Sequence, residues 1–315
     1  MTNTMIETHA LTRHFTVKKH TVEAVRGLDL HVGRGELVAL LGPNGAGKST
    51  TLRMLTTLIP PTSGTARVAG YDVTTDQRAV RQHIGYIGQG NGASHNQRGR
   101  DELVSQGRCY GLAGTGAKAR ADLLVESLDL ALGMVHAPEL LFLDEPSTGL
   151  DPQNRANLQG LITELHASRG TTIVLTTHYL EEADAMAQRV IVVDHGAIIA
   201  DDTAHRLKTE LVGDRIMVSL KDTDQAVQAA ERAHRADPSA VVTPDGSTLT
   251  IRTSGGPELV PDLLRDLDRV GVPALSVEVV RPTLDDVFLH LTGRSLREDQ
   301  STATPTSTPT KEIAA

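Results

Sequence analysis

The residues with the clearest chemical potential lie in a glycine-rich segment near the start of the chain. Residues 42–50 have the spacing of a phosphate-binding loop, which is Gly, four residues, Gly-Lys and then Ser or Thr. Glycines let successive backbone N–H groups turn toward one point, and the start of a following helix adds its positive dipole end. A polyphosphate is the ligand that this pattern predicts. The candidate binding residues are Gly42, Pro43, Asn44, Gly45, Ala46, Gly47, Lys48, Ser49 and Thr50.

Within this loop, two side chains have specific expected roles. Lys48 is expected to reach the β- and γ-phosphates, and the hydroxyl of Ser49 to bind the Mg²⁺ ion that bridges them. A glycine-rich turn that only resembles the pattern is the alternative. The full spacing and the flanking apolar segments argue against that alternative.

Two acidic residues follow a second apolar segment. Residues 140–143 are all apolar and are followed directly by Asp144 and Glu145, as in a buried strand that ends in two carboxylates. Parallel α/β sheets bind ligands beyond the carboxyl ends of their strands, so both acids are expected beside the glycine loop. Asp144 is the candidate Mg²⁺ ligand, and Glu145 is the candidate that orients or deprotonates an attacking water. A strand that ends in acids by chance is the alternative, which Lys48 upstream disfavours.

Three further residues are candidates for the same site. His178 follows the β-branched segment 171–177, and Gln89 follows a short predicted strand over 84–88, so both are expected at the same edge of the sheet. A lone histidine is usually structural or exposed, and the prediction for His178 depends on its strand lying next to the others. Phe15 can stack on an adenine ring or simply pack.

The elements that must position these residues can also be predicted. The apolar segment 37–41 is typical of a buried strand, and apolar residues at 52, 55 and 58 fit one face of a helix. Segments 6–17 and 28–32 alternate apolar and polar residues, as half-buried antiparallel strands do. A helix is predicted over 152–169, with Pro152 in its first turn. The pattern indicates an α/β core with an added antiparallel β-layer.

The last third of the chain has a different pattern. The segments 215–220, 224–234, 240–242, 248–253, 258–270 and 275–280 predict the order βαββαβ, which fits a ferredoxin-like unit. A final helix is predicted over 283–291, with an apolar stripe and Gly293 as its end. The stripe fits core packing or docking in a dimer. The tail from residue 296 is rich in Ser, Thr and Pro and is predicted to be disordered.

Composition narrows the class of protein. The chain of 315 residues is 39% hydrophobic and 22% charged, as expected for a globular protein with room for two domains. No apolar run approaches the roughly 20 residues that span a bilayer, and the N-terminus lacks a signal peptide pattern. Cys109 is the only cysteine, consistent with a reducing compartment. The net charge of -8 argues against nucleic acid as a partner. These features predict a cytoplasmic location.

Taken in order, these motifs resemble those of the ATP-binding subunits of ABC transporters. The matching segments are Phe15 (adenine-stacking aromatic), Gly42 to Thr50 (Walker A), Gln89 (Q-loop), Leu140 to Glu145 (Walker B), Ser147 to Asp151 (D-loop) and His178 (switch histidine). The segments 36–50, 141–152 and 176–184 look most like the daunorubicin/doxorubicin-resistance type. The resemblance implies a pair of ATPase subunits, a homodimer or a heterodimer, that drives a separate membrane permease from the cytoplasmic face of the membrane.

One expected element is absent from the sequence. Between Gln89 and Asp144 the family carries a Leu-Ser-Gly-Gly or Tyr-Ser-Gly-Gly signature, and no such tetrapeptide occurs there. Residues 123–130 end in Leu-Asp-Leu and run directly into 131–136. The simplest hypothesis is an in-frame loss between two Leu-Asp-Leu copies, which shortens the helical subdomain. In the family this signature contacts the γ-phosphate held by the partner subunit, so its loss predicts poor hydrolysis.

We therefore predict three regions: an ABC-type ATP-binding domain over 5–205, an α+β accessory domain over 206–295, and a disordered tail over 296–315. The predicted function is that of an ATPase subunit that binds and hydrolyses Mg-ATP to drive drug or antibiotic export. The alternative is an ATP-binding but hydrolysis-deficient subunit that regulates or completes a pair.

Overall fold

The structure is a computed structural model, which describes residues 3–88 and 138–294 together with Thr115 and Lys118. Within these residues the strands form three sheets. In chain order the strands are β1 (Thr4–Val17), β2 (His20–Gly33), β3 (Leu37–Leu41), β4 (Ser63–Val68), β5 (Tyr71–Asp72), β6 (Ile84–Ile87), β7 (Leu140–Asp144), β8 (Thr172–Thr177), β9 (Arg189–Asp194), β10 (Ala197–Asp202), β11 (Asp214–Ser219), β12 (Val241–Asp245), β13 (Thr248–Thr253) and β14 (Ser276–Val280).

The helices of the described residues lie between and after these strands. In chain order they are α1 (Lys48–Leu55), α2 (Gln77–His83), α3 (Pro152–Arg169), α4 (Leu180–Met186), α5 (Ala204–Leu211), α6 (Thr223–Ala236), α7 (Gly256–Arg269) and α8 (Leu284–Thr292). The predicted bounds of α3 are confirmed. The short helices α2, α4 and α5 were not predicted, because seven or eight residues give too few turns for a recognisable apolar period.

The central sheet has the order β10-β9-β3-β8-β7-β6. Its strands pair in parallel except for β10, which pairs antiparallel with β9. The order places β3, β8 and β7 side by side, so the segments that follow them meet at one edge, as expected for parallel strands. The predicted α/β core is therefore confirmed.

The two faces of the central sheet are covered by different layers. Alternate residues of β3 divide between them: Val38 and Leu40 pack toward the antiparallel sheet of order β2-β1-β4-β5. Leu37, Ala39 and Leu41 pack toward the helical layer on the opposite face. The antiparallel β-layer predicted from alternating residues is confirmed, although β1 and β2 are longer than the predicted strands. None of the helices among the described residues is both long and apolar enough to span a bilayer.

The C-terminal sheet has the order β12-β13-β11-β14, and all of its pairs are antiparallel. Helices α6 and α7 cover one face, where Ile216, Leu249 and Leu263 lie in a separate apolar core. The element order is the predicted βαββαβ. The assignment to the ferredoxin-like fold remains a prediction.

The last helix, α8, packs on the ATP-binding core and not on the C-terminal sheet. Leu284, Val287 and Phe288 are almost fully buried in the same apolar cluster as Leu37 of the central sheet. Its start is stabilised by a capping box between Thr283 and Asp286, and its end by Gly293 in the left-handed region. The apolar stripe of α8 therefore serves packing within the chain.

The predicted domain ranges of 5–205 and 206–295 stay predictions, and residues at both ends of the second range pack on the central sheet. Leu207 of α5 lies in the same cluster as α8, so both ends of that range contribute to the ATP-binding core. Sequence pattern gives the apolar face of a helix but not the surface that it covers, because the covering surface is distant in the chain. The predicted disordered tail over 296–315 lies outside the described residues.

Candidate functional site

The glycine loop joins β3 to α1 and packs closely against two other segments. A Cβ atom on Gly42 would lie 2.1 Å from the carbonyl oxygen of Val193, and one on Gly47 would lie 2.4 Å from that of Ala24. Gly47 also caps α1 with a φ of 103°, in a region that L side chains avoid. Glycine is thus required here by both backbone conformation and space, as the loop pattern predicts.

Substitution of Gly47 and of Gly45 by alanine separates the effect of backbone conformation from the effect of space. Both have positive φ, but a Cβ on Gly45 would meet no atom within 4 Å. We expect Gly45→Ala to cost about 1–2 kcal/mol of stability from backbone strain alone. Gly47→Ala should cost clearly more, since the carbonyl of Ala24 must also move. Urea unfolding of both variants measures the difference, and equal losses would contradict the close packing of the loop.

Lys48 is the first residue of α1 and is only 4% exposed. Its ammonium donates hydrogen bonds to the carbonyl oxygens of Gly42 at 2.6 Å and Pro43 at 3.1 Å. Its Nζ also lies 3.6 Å from Oε1 of Glu145. Burial lowers the pKa of Lys48, and the negative charges of Glu145 and Asp144 oppose that shift. The loop thus holds a buried cation next to the carboxylate that follows β7.

Asp144 ends β7 and is fully buried. Its Oδ1 accepts hydrogen bonds from the hydroxyls of Ser49 at 2.7 Å and Thr176 at 2.8 Å. Tyr86 donates to the other carboxylate oxygen at 3.3 Å. Burial and the charge of Asp144 raise the pKa of the Tyr86 hydroxyl, which stays a donor. The structure therefore brings Ser49 and Asp144 together, as the sequence predicted.

Thr176 and Tyr86 were not among the residues predicted from the sequence. Thr176 lies opposite Asp144 in the parallel pairing of β7 with β8, so it reaches the site only because those strands are neighbours. Its position two residues before His178 is the one signal that the sequence offered. Tyr86 has an analogous place, near the end of β6 and three residues before Gln89.

Glu145 lies between Lys48 and His178. Its Oε2 is 3.4 Å from Nδ1 of His178, and Thr148 donates to the same oxygen at 3.4 Å. Its backbone has a φ of 51°, a strained value for this residue type. The backbone N–H of Glu145 donates to the hydroxyl of Thr176 at 3.0 Å, which helps to hold that conformation. A carboxylate fixed beside a buried lysine and a histidine can orient or accept a proton from water.

A cavity of about 740 Å³ adjoins the glycine loop. Phe15 and Glu145 contribute to its wall, so the structure brings the predicted aromatic residue to the loop. The guanidinium carbon of Arg13 lies 4.6 Å from the centre of the Phe15 ring. Gln89, predicted at the same edge, lies outside the described residues. Besides Phe15 and Glu145, the lining residues are Val22, Glu23, Ala24, Arg26, Pro43, Asn44, Gly45, Ala46, Gly47, Lys48, Ser49, Thr50 and His195.

This fold and site define an α/β nucleotide-binding protein of the phosphate-loop class. Comparison with known proteins gives a narrower assignment. The ABC transporter family matches residues 25–148. A second family, described as AAA domain, putative AbiEii toxin, Type IV TA system, matches residues 126–184.

Curated relatives match along nearly the whole chain. A daunorubicin resistance ATP-binding protein of Streptomyces coeruleorubidus is 40% identical over 94% of this chain and 98% of its own length. The daunorubicin/doxorubicin resistance ATP-binding protein of Streptomyces peucetius is 37% identical over 94% of each chain. The dimeric ATP-binding cassette MJ0796, bound to ADP and Pi, shares the fold with a TM-score of 0.58 at 19% identity. That match covers 63% of this chain and 98% of the cassette.

The chain therefore belongs to the ATP-binding subunits of ABC transporters. Within them it is of the daunorubicin/doxorubicin-resistance type, as the sequence motifs indicated.

Proposed function

We propose that this chain binds and hydrolyses Mg-ATP to drive the export of drugs or antibiotics through a separate membrane permease. The observation that carries the proposal is the cluster of Lys48, Ser49, Asp144, Glu145 and His178 at one edge of the central sheet. The names of the relatives, which describe daunorubicin and doxorubicin resistance, support the class of cargo. The chain would act as one member of a pair of subunits at the cytoplasmic face of the membrane.

In this proposal, the glycine loop and Lys48 bind the phosphates of ATP. The ammonium of Lys48 exchanges its contacts with backbone carbonyls for the β- and γ-phosphate oxygens. Phe15 stacks on the adenine ring from the cavity wall. Glu145 orients the attacking water and accepts its proton, while His178 contacts the γ-phosphate side of the site.

Mg²⁺ fits the residues that lie beside the loop. The hydroxyl of Ser49 and the carboxylate of Asp144 are hard oxygen ligands within 2.7 Å of each other, and Mg²⁺ is usually held by one or two such groups plus phosphates and water. Gln89 is the third proposed ligand. When bound, the ion neutralises charge on the phosphate oxygens. Thr176 and Tyr86 keep the carboxylate of Asp144 oriented toward that position.

The missing signature favours a second candidate function. The sequence between Gln89 and Asp144 lacks the tetrapeptide that contacts the partner's nucleotide in related subunits. That segment lies largely outside the described residues. A subunit with an intact nucleotide site but without this element would bind ATP and hydrolyse it poorly. Such a subunit would regulate or complete a pair whose other member supplies the signature.

Substitution of Lys48 tests ATP binding in both candidate functions. We expect Lys48→Met to weaken Mg-ATP binding by about 10- to 100-fold, because it removes charge-assisted hydrogen bonds worth about 1.5–3 kcal/mol. Fluorescence titration with a labelled ATP analogue measures the affinity. Lys221→Met, at an exposed position of the C-terminal unit, is the matched control. Unchanged affinity in Lys48→Met would rule out the proposed phosphate site.

Resistance in the native host tests the cargo class. Cells that carry Lys48→Met in place of the natural gene should lose ATP-dependent efflux of daunorubicin. Efflux equal to that of the unaltered strain, with ATP binding lost in the purified variant, would refute drug export as the function while leaving the nucleotide site established.

A further inference from the structure

Glu182 is a buried carboxylate that the proposed mechanism does not use. It is 2% exposed and lies in the first turn of α4, four residues after His178. Its Oε2 accepts a hydrogen bond of 2.8 Å from the hydroxyl of Thr177. Its Oε1 lies 3.6 Å from Nε of Arg155. Burying a carboxylate is costly unless it is paired, and Thr177 and Arg155 are the polar neighbours that Glu182 has in the protein interior.

Arg155 belongs to the first turn of α3, the helix that follows the loop 145–151. Its guanidinium carbon lies 4.0 Å from the centre of the Tyr179 ring, a cation–π geometry. The Tyr179 ring in turn lies 4.2 Å from the ring of His178. One arginine thus contacts both Glu182 and the residue that follows His178.

The backbone on both sides of His178 is fixed by the same group of residues. The N–H of Tyr179 donates to the Thr177 hydroxyl at 2.9 Å. Since that hydroxyl donates to Glu182, the hydrogen bonds run from the backbone through Thr177 to the buried carboxylate. Two successive bonds of this kind polarise and strengthen each other. The position of His178 therefore depends on a carboxylate that does not touch it.

The segments that precede α3 and α4 are also in contact, through Glu145 and His178 of the nucleotide site. Asp151, whose side chain caps α3 by accepting from the N–H of Asn154 at 2.9 Å, closes the loop that begins at Glu145. Nδ1 of His178 lies 3.4 Å from that same Glu145. Arg155 and Glu182 therefore join helix α3 to helix α4, and Glu145 and His178 join the two segments that precede those helices.

We propose that Arg155 and Glu182 are a pair of positioning residues that hold His178 against Glu145. The proposal rests on the roles assigned to His178 and Glu145 in the proposed function. The pair fixes the loop of His178 to the helix that starts where the Glu145 loop ends. A movement of the Glu145 loop is thereby transmitted to His178. Loss of the pair leaves the phosphate-binding residues in place and displaces the histidine.

Isosteric substitution of Glu182 tests the proposal. We expect Glu182→Gln to lower kcat for Mg-ATP about tenfold, since small misplacements of a catalytic group have effects of this order. KM should change by less than about twofold, because Glu182 does not line the cavity beside the loop. Glu181→Gln makes the same chemical change at the exposed neighbouring residue and should leave kcat unchanged.

A double variant separates positioning from a purely structural role. Removing one partner of a buried pair lowers stability, whereas removing both charges is often neutral. Arg155→Met combined with Glu182→Gln should therefore recover much of the melting temperature lost in Glu182→Gln, without recovering kcat. Recovery of both would show that the pair acts on stability alone and would overturn the proposal.

Hydrogen exchange gives a measurement that does not require turnover. Backbone amides of the segment 177–183 should exchange at least tenfold faster in Glu182→Gln than in the unaltered chain, and at an unchanged rate in Glu181→Gln. Unchanged exchange in Glu182→Gln would overturn the proposal whatever the rate of hydrolysis. If the unaltered chain hydrolyses ATP no faster than Glu145→Gln does, the catalytic function fails separately, and hydrogen exchange still decides whether the pair holds the loop.

Discussion

Glu145→Gln is expected to lower the turnover of Mg-ATP by about 10³-fold, within the range found for loss of a general base. Glutamine has the shape of glutamate, so it can keep the contacts with His178 and Thr148 while losing the ability to accept a proton. Removing its charge also frees Lys48 from one of its two acidic neighbours. ATP affinity should therefore be retained or rise. Steady-state hydrolysis and labelled-nucleotide binding measure the two effects.

Glu139→Gln is the matched control for this substitution. Glu139 directly precedes β7, at the opposite end of the strand from Glu145, and is paired with Arg34 on the exposed surface. The same chemical change there should leave turnover within about twofold, as surface pairs contribute little. If Glu145→Gln hydrolysed ATP as fast as the unaltered chain, another group would have to activate the water, and the proposed role of Glu145 would be wrong.

The second large effect is expected from restoring the missing signature. If the chain is the hydrolysis-deficient subunit of the second candidate function, a segment that contains Tyr-Ser-Gly-Gly, inserted after Leu130, should raise turnover by about 10³- to 10⁵-fold, the range for an element that contacts the γ-phosphate in trans. The physical reason is that the signature would add hydroxyl and backbone N–H donors and a helix start to the partner's nucleotide. Affinity for ATP in the isolated chain should change little, because each chain keeps its own glycine loop.

An inserted segment of the same length and composition in scrambled order is the control for the signature. Equal turnover in the unaltered chain and in both insertions, well above that of Glu145→Gln, would show that other residues supply the missing contact.

Genomic DNA read across codons 123–136 in an independent isolate tests the origin of the missing signature. An intact signature in that isolate would mean that the present sequence is a variant.

The two experiments together distinguish the two candidate functions. An active chain that loses turnover in Glu145→Gln is an ATPase that works without this signature. A chain that binds ATP, hydrolyses no faster than Glu145→Gln and gains turnover from the insertion is an ATP-binding subunit for a pair in which the partner provides the signature.

Local chemistry explains why so much of the nucleotide site could be predicted from the sequence. The glycine loop, Lys48 and Ser49 are contiguous, and their spacing alone specifies a strand, a turn and a helix start. Asp144, Glu145 and His178 could be placed because each follows an apolar segment of strand length, and parallel strands deliver their carboxyl ends to one edge. The order of the motifs along the chain then indicated the family.

Other contacts depend on which elements become neighbours in space. Thr176 and Tyr86 reach Asp144 only because β7 lies between β8 and β6. Arg155 and Glu182 meet only because α3 and α4 pack on the same face of the sheet. Apart from the positions of Thr176 and Tyr86 shortly before His178 and Gln89, nothing in the local pattern distinguishes these four residues from ordinary strand or helix residues.

The sequence by itself determined the class of protein, the glycine loop, the two acids after β7 and the element order of the C-terminal unit. Only the tertiary structure decided that α8 returns to the ATP-binding core and that the buried carboxylate of Glu182 accepts a hydrogen bond from Thr177, the residue before His178. The physical reason is that residue type and spacing fix backbone conformation within a few residues. The partner of a buried face or charge, in contrast, is chosen by the packing of segments far apart in the chain.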